Sequence, residues 1–229
     1  MAESKERSWP KSRIESLSDI IFGLALSIGA LTLIGMPPKD FTSLLYSISS
    51  YTFSFLILIS IWYSYTRTMA HLRIETQIDV NLNILLLFLV SIEPFLFNQL
   101  LVSSIPTQDI SIVYALDLGT LFAIQALMAN SILSSGDLPS HLQRHYSLQR
   151  NAEVTGALFF FVSTLPVFWT LQISVGSHHV PVRFIFWVVP LFLRNIRGLF
   201  EKYRVVKSVA SINLAKQTAE PTGIELTTN

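Results

Sequence analysis

Acidic side chains inside long hydrophobic stretches are the residues of this sequence that could carry chemistry. Asp19, Glu93 and Asp117 each lie in a run of hydrophobic residues long enough to cross a membrane. A carboxylate in hydrocarbon is costly and usually faces other protein groups or water. Glu93 or Asp117 could therefore couple a substrate to protons in a small secondary transporter. The simpler alternative places both of them near the outer membrane interface.

The sequence gives little support to metal binding, thiol chemistry or enzyme catalysis. His141 and His145 are four residues apart and could share a helix face as metal ligands, but no third ligand is nearby, so we expect an exposed loop. The chain contains no cysteine, which excludes disulfides and thiolate sites. It also has no Gly-rich phosphate loop and no His-Glu-x-x-His motif. The sequence therefore predicts no enzyme, no cofactor and no nucleic-acid partner.

Charges and prolines divide the hydrophobic sequence into six predicted membrane spans. Of the 229 residues 51% are hydrophobic and only 14% are charged, whereas soluble domains have about 25% charged residues. Runs of this length can cross about 30 Å of hydrocarbon. The predicted spans are 14–34, 41–65, 80–102, 110–133, 154–175 and 182–200. We therefore predict an all-α polytopic membrane protein with one domain, 1–207, and a polar, disordered tail, 208–229.

The basic residues predict the orientation of these spans. With six spans, 14 of the 16 lysines and arginines fall at the two termini and in the second–third and fourth–fifth connections, which share one side. Only Lys39 and Arg183 fall on the other side. The positive-inside rule then places both termini in the cytoplasm, and we expect the protein in the plasma membrane.

The first span has two different faces on a helical wheel. Leu24, Ile28 and Leu31 form an aliphatic stripe, and Ser27 lies on its flank. The opposite side holds Ser18, Phe22, Ala25 and Gly29. The last two are a small-xxx-small pair, which usually packs closely against another helix. The stripe could face lipid or line a pore, and periodicity alone does not decide between these.

The sequence RIESLSDIIFGLALSIGALTL resembles the signature of the transmembrane protein 175 family of potassium channels. That signature reads Arg-x-x-x-Phe-Ser-Asp, followed by Phe-Ala-Ile-x-x-Thr-Leu-Leu-x-Leu. The identical residues are Arg13, Ser18, Asp19, Phe22 and Leu31. Conservative replacements are Leu17, Gly23, Leu24, Ser27 and Ile28, whereas Gly29 replaces a leucine and is a larger departure.

Later positions extend the resemblance. Trp62 stands where the family has a tryptophan near the end of the second span. Tyr65 and Thr66 occupy the places of the histidines that commonly follow it. Asp79, Asn83 and Pro94-Phe95 are similar to the third span of the family.

The resemblance implies a potassium channel whose pore is lined by the first helix. Leu24, Ile28 and Leu31 would form the constriction, and Ser27 would supply a hydroxyl layer for selectivity. Such a hydrophobic neck can gate by dewetting. Potassium would be the permeant ion, and nothing here matches the carbonyl filter of ordinary potassium channels.

The resemblance also implies roles for the motif and for assembly. Arg13, Ser18, Asp19 and Trp62 would form a structural network that ties the first span to its neighbours, including an Arg13–Asp19 contact. Animal members carry two copies of the motif in each chain. Because this chain carries one, four chains would surround the pore as a homotetramer in the bilayer.

Overall fold

The computed structural model describes residues 11–35, 38–72, 76–102, 106–135, 138–175 and 178–189. These residues form long helices, a short helix and a two-stranded hairpin. In chain order the elements are α1 (Lys11–Gly35), α2 (Phe41–His71), α3 (Gln77–Val102), α4 (Thr107–Ser134), α5 (Ser140–Ser163), α6 (Val167–Thr170), β1 (Gln172–Val175) and β2 (His178–Pro181). Residues 182–189 are again helical.

Four of these helices, α1 to α4, are long and apolar enough to cross a membrane. They contain the residues of the first four predicted spans. The prediction of a helical protein with several candidate membrane spans is thereby confirmed for these four helices. The tail at 208–229 and most of the sixth predicted span lie outside the described residues.

The fifth predicted span, 154–175, is wrong at its carboxyl end. α5 begins at Ser140, so its first half is polar, and it ends at Ser163. Pro166 has no amide hydrogen to donate and cannot extend α5 through its own position. Residues 172–175 instead pair with 178–181 as an antiparallel hairpin. A hydrophobic run that the sequence presents as one helix is therefore divided into helix, turn and strand.

The core lies around α4, which packs against α2, α3 and α5. Its buried side chains cover most of the helix surface, and its exposed residues, such as Val113, Leu116 and Leu127, form one narrow stripe. α1 packs against α2 and α3. This arrangement leaves α1 at the side of the protomer, with one face covered by its neighbours.

Asp40 fixes the beginning of α2. Its side chain accepts a hydrogen bond of 2.7 Å from the Ser43 amide, and the Ser43 hydroxyl accepts one of 3.1 Å from the Asp40 amide. This capping box satisfies two amides that the helix itself leaves without acceptors. Hydrogen bonding from Ser43 holds the pKa of Asp40 below its ordinary value.

Arg183 fixes the helical stretch 182–189 to the ends of two long helices. The guanidinium is fully buried. Its Nε donates to the Ser163 carbonyl at 2.8 Å, and its Nη1 donates to Ser111 Oγ at 2.6 Å. Nη2 donates to the Thr164 carbonyl at 3.2 Å. A cation is favourable at the carboxyl end of α5, where the helix leaves carbonyl groups without partners.

Candidate functional site

α1 buries one face and leaves its aliphatic face uncovered. On the buried side, Ser18, Phe22 and Ala25 are 0%, 1% and 2% exposed. On the other side, Leu24, Ile28 and Leu31 are 57%, 41% and 58% exposed in the single chain. Leu17 and Ile20 extend the same exposed strip toward the start of the helix. The two-faced character that the helical wheel predicted is therefore confirmed, and Ile20 is an addition that the wheel analysis missed.

Ser27 lies beside this strip and is also exposed. Its hydroxyl donates its proton to the Gly23 carbonyl at 2.8 Å. A serine hydroxyl has one proton and two lone pairs. Because the proton is engaged within the helix, the oxygen is left to act as an acceptor, which is the property that a cation requires.

A chain of hydroxyl contacts anchors the buried face. Ser18 Oγ lies 2.5 Å from Tyr65 Oη, and Tyr65 Oη donates to Asn83 Oδ1 at 2.7 Å. These three buried residues join α1, α2 and α3. The ring of Phe22 packs on that of Tyr65 with centroids 5.5 Å apart. Sequence reasoning noted Tyr65 only as a departure from histidine, and its position after Trp62 was the signal of its role.

Asp19 forms a second link between α1 and α2. It accepts a hydrogen bond of 3.1 Å from Trp62 Nε1. The expected Arg13–Asp19 ion pair is not formed, and the ion pair at this end of the described chain joins Lys11 to Glu15 at 3.9 Å. Residues six apart project about 120° from each other on a helix. Arg13 is exposed on another side of α1 and does not reach Asp19.

Glu93 and Asp117 are buried within the protein. Glu93 accepts hydrogen bonds from Ser54 Oγ at 3.0 Å and from Tyr114 Oη at 2.8 Å. These contacts join α3 to α2 and α4. Protein therefore encloses both carboxylates, and their position near the outer membrane interface stays a prediction.

The two histidines of the predicted loop lie instead in the first turns of α5. His141 is exposed, and His145 Nε2 lies 2.6 Å from Arg67 Nη2. Within the described ranges, no group of three or more His, Asp or Glu side chains could hold a metal ion. The helix begins early because Pro139 precedes a run of polar residues that tolerate helical geometry.

The region that carries the motif network matches a known family. The family model described as "Endosomal/lysosomal potassium channel TMEM175" matches residues 13–94. This range contains Ser18, Asp19, Trp62, Tyr65 and Asn83, whose hydrogen bonds hold α1 in place. Residues 13–94 are therefore similar to the TMEM175 family. No curated protein matches the chain by direct sequence comparison.

Solved TMEM175 structures have the same fold. One is a crystal structure of a variant of the potassium channel MtTMEM175 in complex with a Nanobody-MBP fusion protein. It aligns with a TM-score of 0.51 and 17% sequence identity, and the alignment covers 91% of this chain and 99% of that chain. A lysosomal potassium-selective channel TMEM175 homolog from Chamaesiphon minutus aligns with a TM-score of 0.56 and 18% identity over 80% of this chain and 97% of that chain. The fold is thus that of TMEM175 homologues, and the matched family and structures are ion channels rather than enzymes.

Proposed function

We propose that this protein is a potassium channel whose pore is enclosed by the α1 helices of four identical subunits. The observation that carries the proposal is the division of α1 into two faces. Ser18, Asp19 and Phe22 of the motif contact α2, and the aliphatic strip is left uncovered. A helix fixed so firmly on one side can present the other side to a central axis.

The chemistry of the uncovered strip fits a gated constriction. Rings of Leu24, Ile28 and Leu31 offer a cation nothing in exchange for its hydration shell, so a narrow neck of these side chains excludes water and ions when closed. Ser27 lies beside the neck and presents an oxygen acceptor. The neck would open and close the path for cations. The hydroxyl layer would favour the cation whose hydration water it can partly replace.

Assembly from four chains is part of this proposal. One helix cannot enclose a path, and this chain carries the motif once. Four copies around an axis would turn the uncovered strips toward each other and remove them from lipid. We place the tetramer in the plasma membrane with six spans in each subunit and both termini in the cytoplasm, because basic residues are concentrated on that side.

A small proton-coupled transporter is the second candidate. The observation that favours it is the burial of two carboxylates, Glu93 on α3 and Asp117 on α4. Vesicle flux separates the two functions. A channel passes potassium whenever its electrochemical gradient allows, whereas a coupled transporter moves substrate uphill when only a proton gradient is supplied. Uphill movement driven by protons would contradict the channel proposal.

Cysteine scanning tests the pore directly, because the wild-type chain has no cysteine. Leu24→Cys, Ile28→Cys and Leu31→Cys should react with silver or small aqueous thiol reagents, and reaction should block potassium flux in reconstituted vesicles. Phe22→Cys and Ala25→Cys are matched controls on the buried face of the same helix. Block at the control positions, or inert cysteines at all three strip positions, would show that this strip does not line the pore.

Truncation separates the neck from the hydroxyl layer. Leu24→Ala should widen and wet the constriction, so conductance should rise and the preference for potassium over sodium should weaken. Ser27→Ala should alter that preference with a smaller effect on conductance, because a methyl group cannot replace water around a cation. Equal effects of the two changes on both quantities would contradict this division of roles.

A further inference from the structure

The end of α2 and the beginning of α5 are joined by a cluster of side chains that the α1 site does not use. Arg67 Nη2 lies 2.6 Å from His145 Nε2. One residue further along α5, Tyr146 Oη donates to the Arg67 carbonyl at 2.9 Å and lies 2.7 Å from His71 Nδ1. The cluster therefore contains two histidines, and the partner of each one defines its hydrogen-bonding role.

The contact with Arg67 defines which nitrogen of His145 carries a proton. A guanidinium has N–H donors and no acceptor, so His145 Nε2 must accept the hydrogen bond from Arg67. In the neutral imidazole the proton is then on Nδ1. A protonated imidazole has two donors and no acceptor. Protonation of His145 therefore removes the acceptor and places a second positive charge against Arg67, so this contact requires neutral His145.

His71 has the opposite arrangement. The Tyr146 hydroxyl has one proton, which goes to the Arg67 carbonyl because a carbonyl can only accept. His71 Nδ1 must then donate to the Tyr146 oxygen. Protonation of His71 adds a proton at Nε2 and keeps this hydrogen bond. The two histidines therefore respond differently to acid although they lie in the same cluster.

The titratable groups on the elements that meet here are mostly cationic or neutral. The ring of Tyr63 lies 5.3 Å from the Arg67 guanidinium. α4 packs on α5, and its part from Leu118 to Ser134 contains no titratable side chain. The remaining basic groups at these helix ends are Lys11, His71, His141 and Arg144. The carboxylates Glu15, Asp19, Asp79 and Glu153 contact Lys11, Trp62, Ser131 and Ser64, respectively. A proton on His145 would therefore add a positive charge to a region that is already rich in them.

We propose that the Arg67–His145 contact is a pH-sensitive link between α2 and α5, which forms when His145 is neutral and breaks when His145 gains a proton. An imidazole changes its charge between about pH 5 and 8. Tyr146 and Gln149 keep their own hydrogen bonds to α2. The part of α5 that is released is therefore its beginning, 140–145.

The position of this link gives it a regulatory role. Arg67 lies two residues after Tyr65 and five after Trp62, the residues through which α2 holds α1. Proton binding to His145 therefore acts on the end of the helix that fixes α1. The link itself does not depend on ion conduction, so it can be tested separately from the proposed channel function.

Dipolar coupling between two spin labels measures this release, and the wild-type chain has no cysteine to interfere with labelling. Labels on Thr66→Cys and Gln143→Cys, both at exposed positions, report the distance between the end of α2 and the first turn of α5. In lipid nanodiscs, with labelled chains diluted by unlabelled ones, the distance distribution should be narrow at about pH 8 and should shift or broaden at about pH 5.5. Labels on Thr66→Cys and Val154→Cys should give the same distribution at both pH values, because the Gln149 contacts between α2 and α5 persist.

Substitution of each histidine identifies the group that responds. In His145→Gln the amide oxygen can still accept from Arg67 but gains no proton in this pH range, so the response of the first label pair should disappear. His71→Gln is the matched control from the same cluster, and the response should remain. If His145→Gln does not fold, Arg67→Gln serves instead, because protonated His145 then has no guanidinium charge to repel it. A distribution in the wild type that is the same at both pH values, a response that survives His145→Gln or Arg67→Gln, or one that is lost in His71→Gln would overturn the proposal.

Discussion

Removing one hydroxyl group should loosen the attachment of α1. Tyr65→Phe keeps the ring that packs on Phe22 but deletes the oxygen between Ser18 and Asn83. Asn83 Oδ1 then loses its donor at a buried position, whereas Ser18 keeps its bond to the Ile14 carbonyl at 2.7 Å. One buried group left without its partner costs about 1–3 kcal/mol. For a protein of this size, that corresponds to a decrease in Tm of about 2–12 °C.

Tyr63→Phe is the matched control for this change. Tyr63 lies on the same helix, two residues away, and is 55% exposed. Its loss of a hydroxyl should change the free energy of unfolding by less than about 0.5 kcal/mol. The assay is thermal unfolding of the detergent-purified variants, followed by loss of the folded oligomer on size-exclusion chromatography. Equal Tm values for Tyr65→Phe and Tyr63→Phe would refute the hydroxyl chain as an anchor of α1.

Further changes test the helix cap, the packing and the topology. Asp40→Ala should lower Tm, whereas Asp40→Asn should retain the cap. Because the pKa of Asp40 is lowered in the folded protein, the stabilising effect of its charge should be lost as pH falls through that pKa. Gly119→Ala should cost about 1–3 kcal/mol, since its Cβ would come within 2.8 Å of the Phe161 ring. Gly23→Ala, where a Cβ meets nothing within 4 Å, should stabilise α1 slightly in the same melting assay. Reporters fused to either terminus should read cytoplasmic, and an external C-terminus would contradict the six-span topology.

The sequence predicted α1 well because two independent patterns agreed there. Small residues such as Ala25 recur on the side that packs, and large aliphatic residues such as Leu24 recur on the other. Helical geometry converts such a pattern into two faces with little ambiguity. Arg13 and Asp19 project about 120° apart on the same helix, so the predicted contact between them is not formed. Contacts between helices, such as Trp62 with Asp19, depend on tertiary packing that one sequence does not define.

The region after α4 was predicted poorly because hydrophobicity does not distinguish a membrane span from a helix followed by a hairpin. The run 154–175 is apolar enough to suggest one span, but Pro166 interrupts the helical hydrogen bonds within it. The β-branched residues Ile173, Val175 and Val180 then favour strands. The polar stretch 140–153 forms the first half of α5 by packing against α4 and α2 rather than through apolar composition.

Tyr65 also changes how the anchor of α1 responds to pH. The family commonly has histidines after the tryptophan at position 62, and an imidazole changes its charge between about pH 5 and 8. A phenol stays neutral throughout that range. The hydroxyl chain from Ser18 to Asn83 therefore keeps the same donors and acceptors where a histidine would gain a proton. Any pH response of the protein between pH 5 and 8 must then come from groups outside this hydroxyl chain.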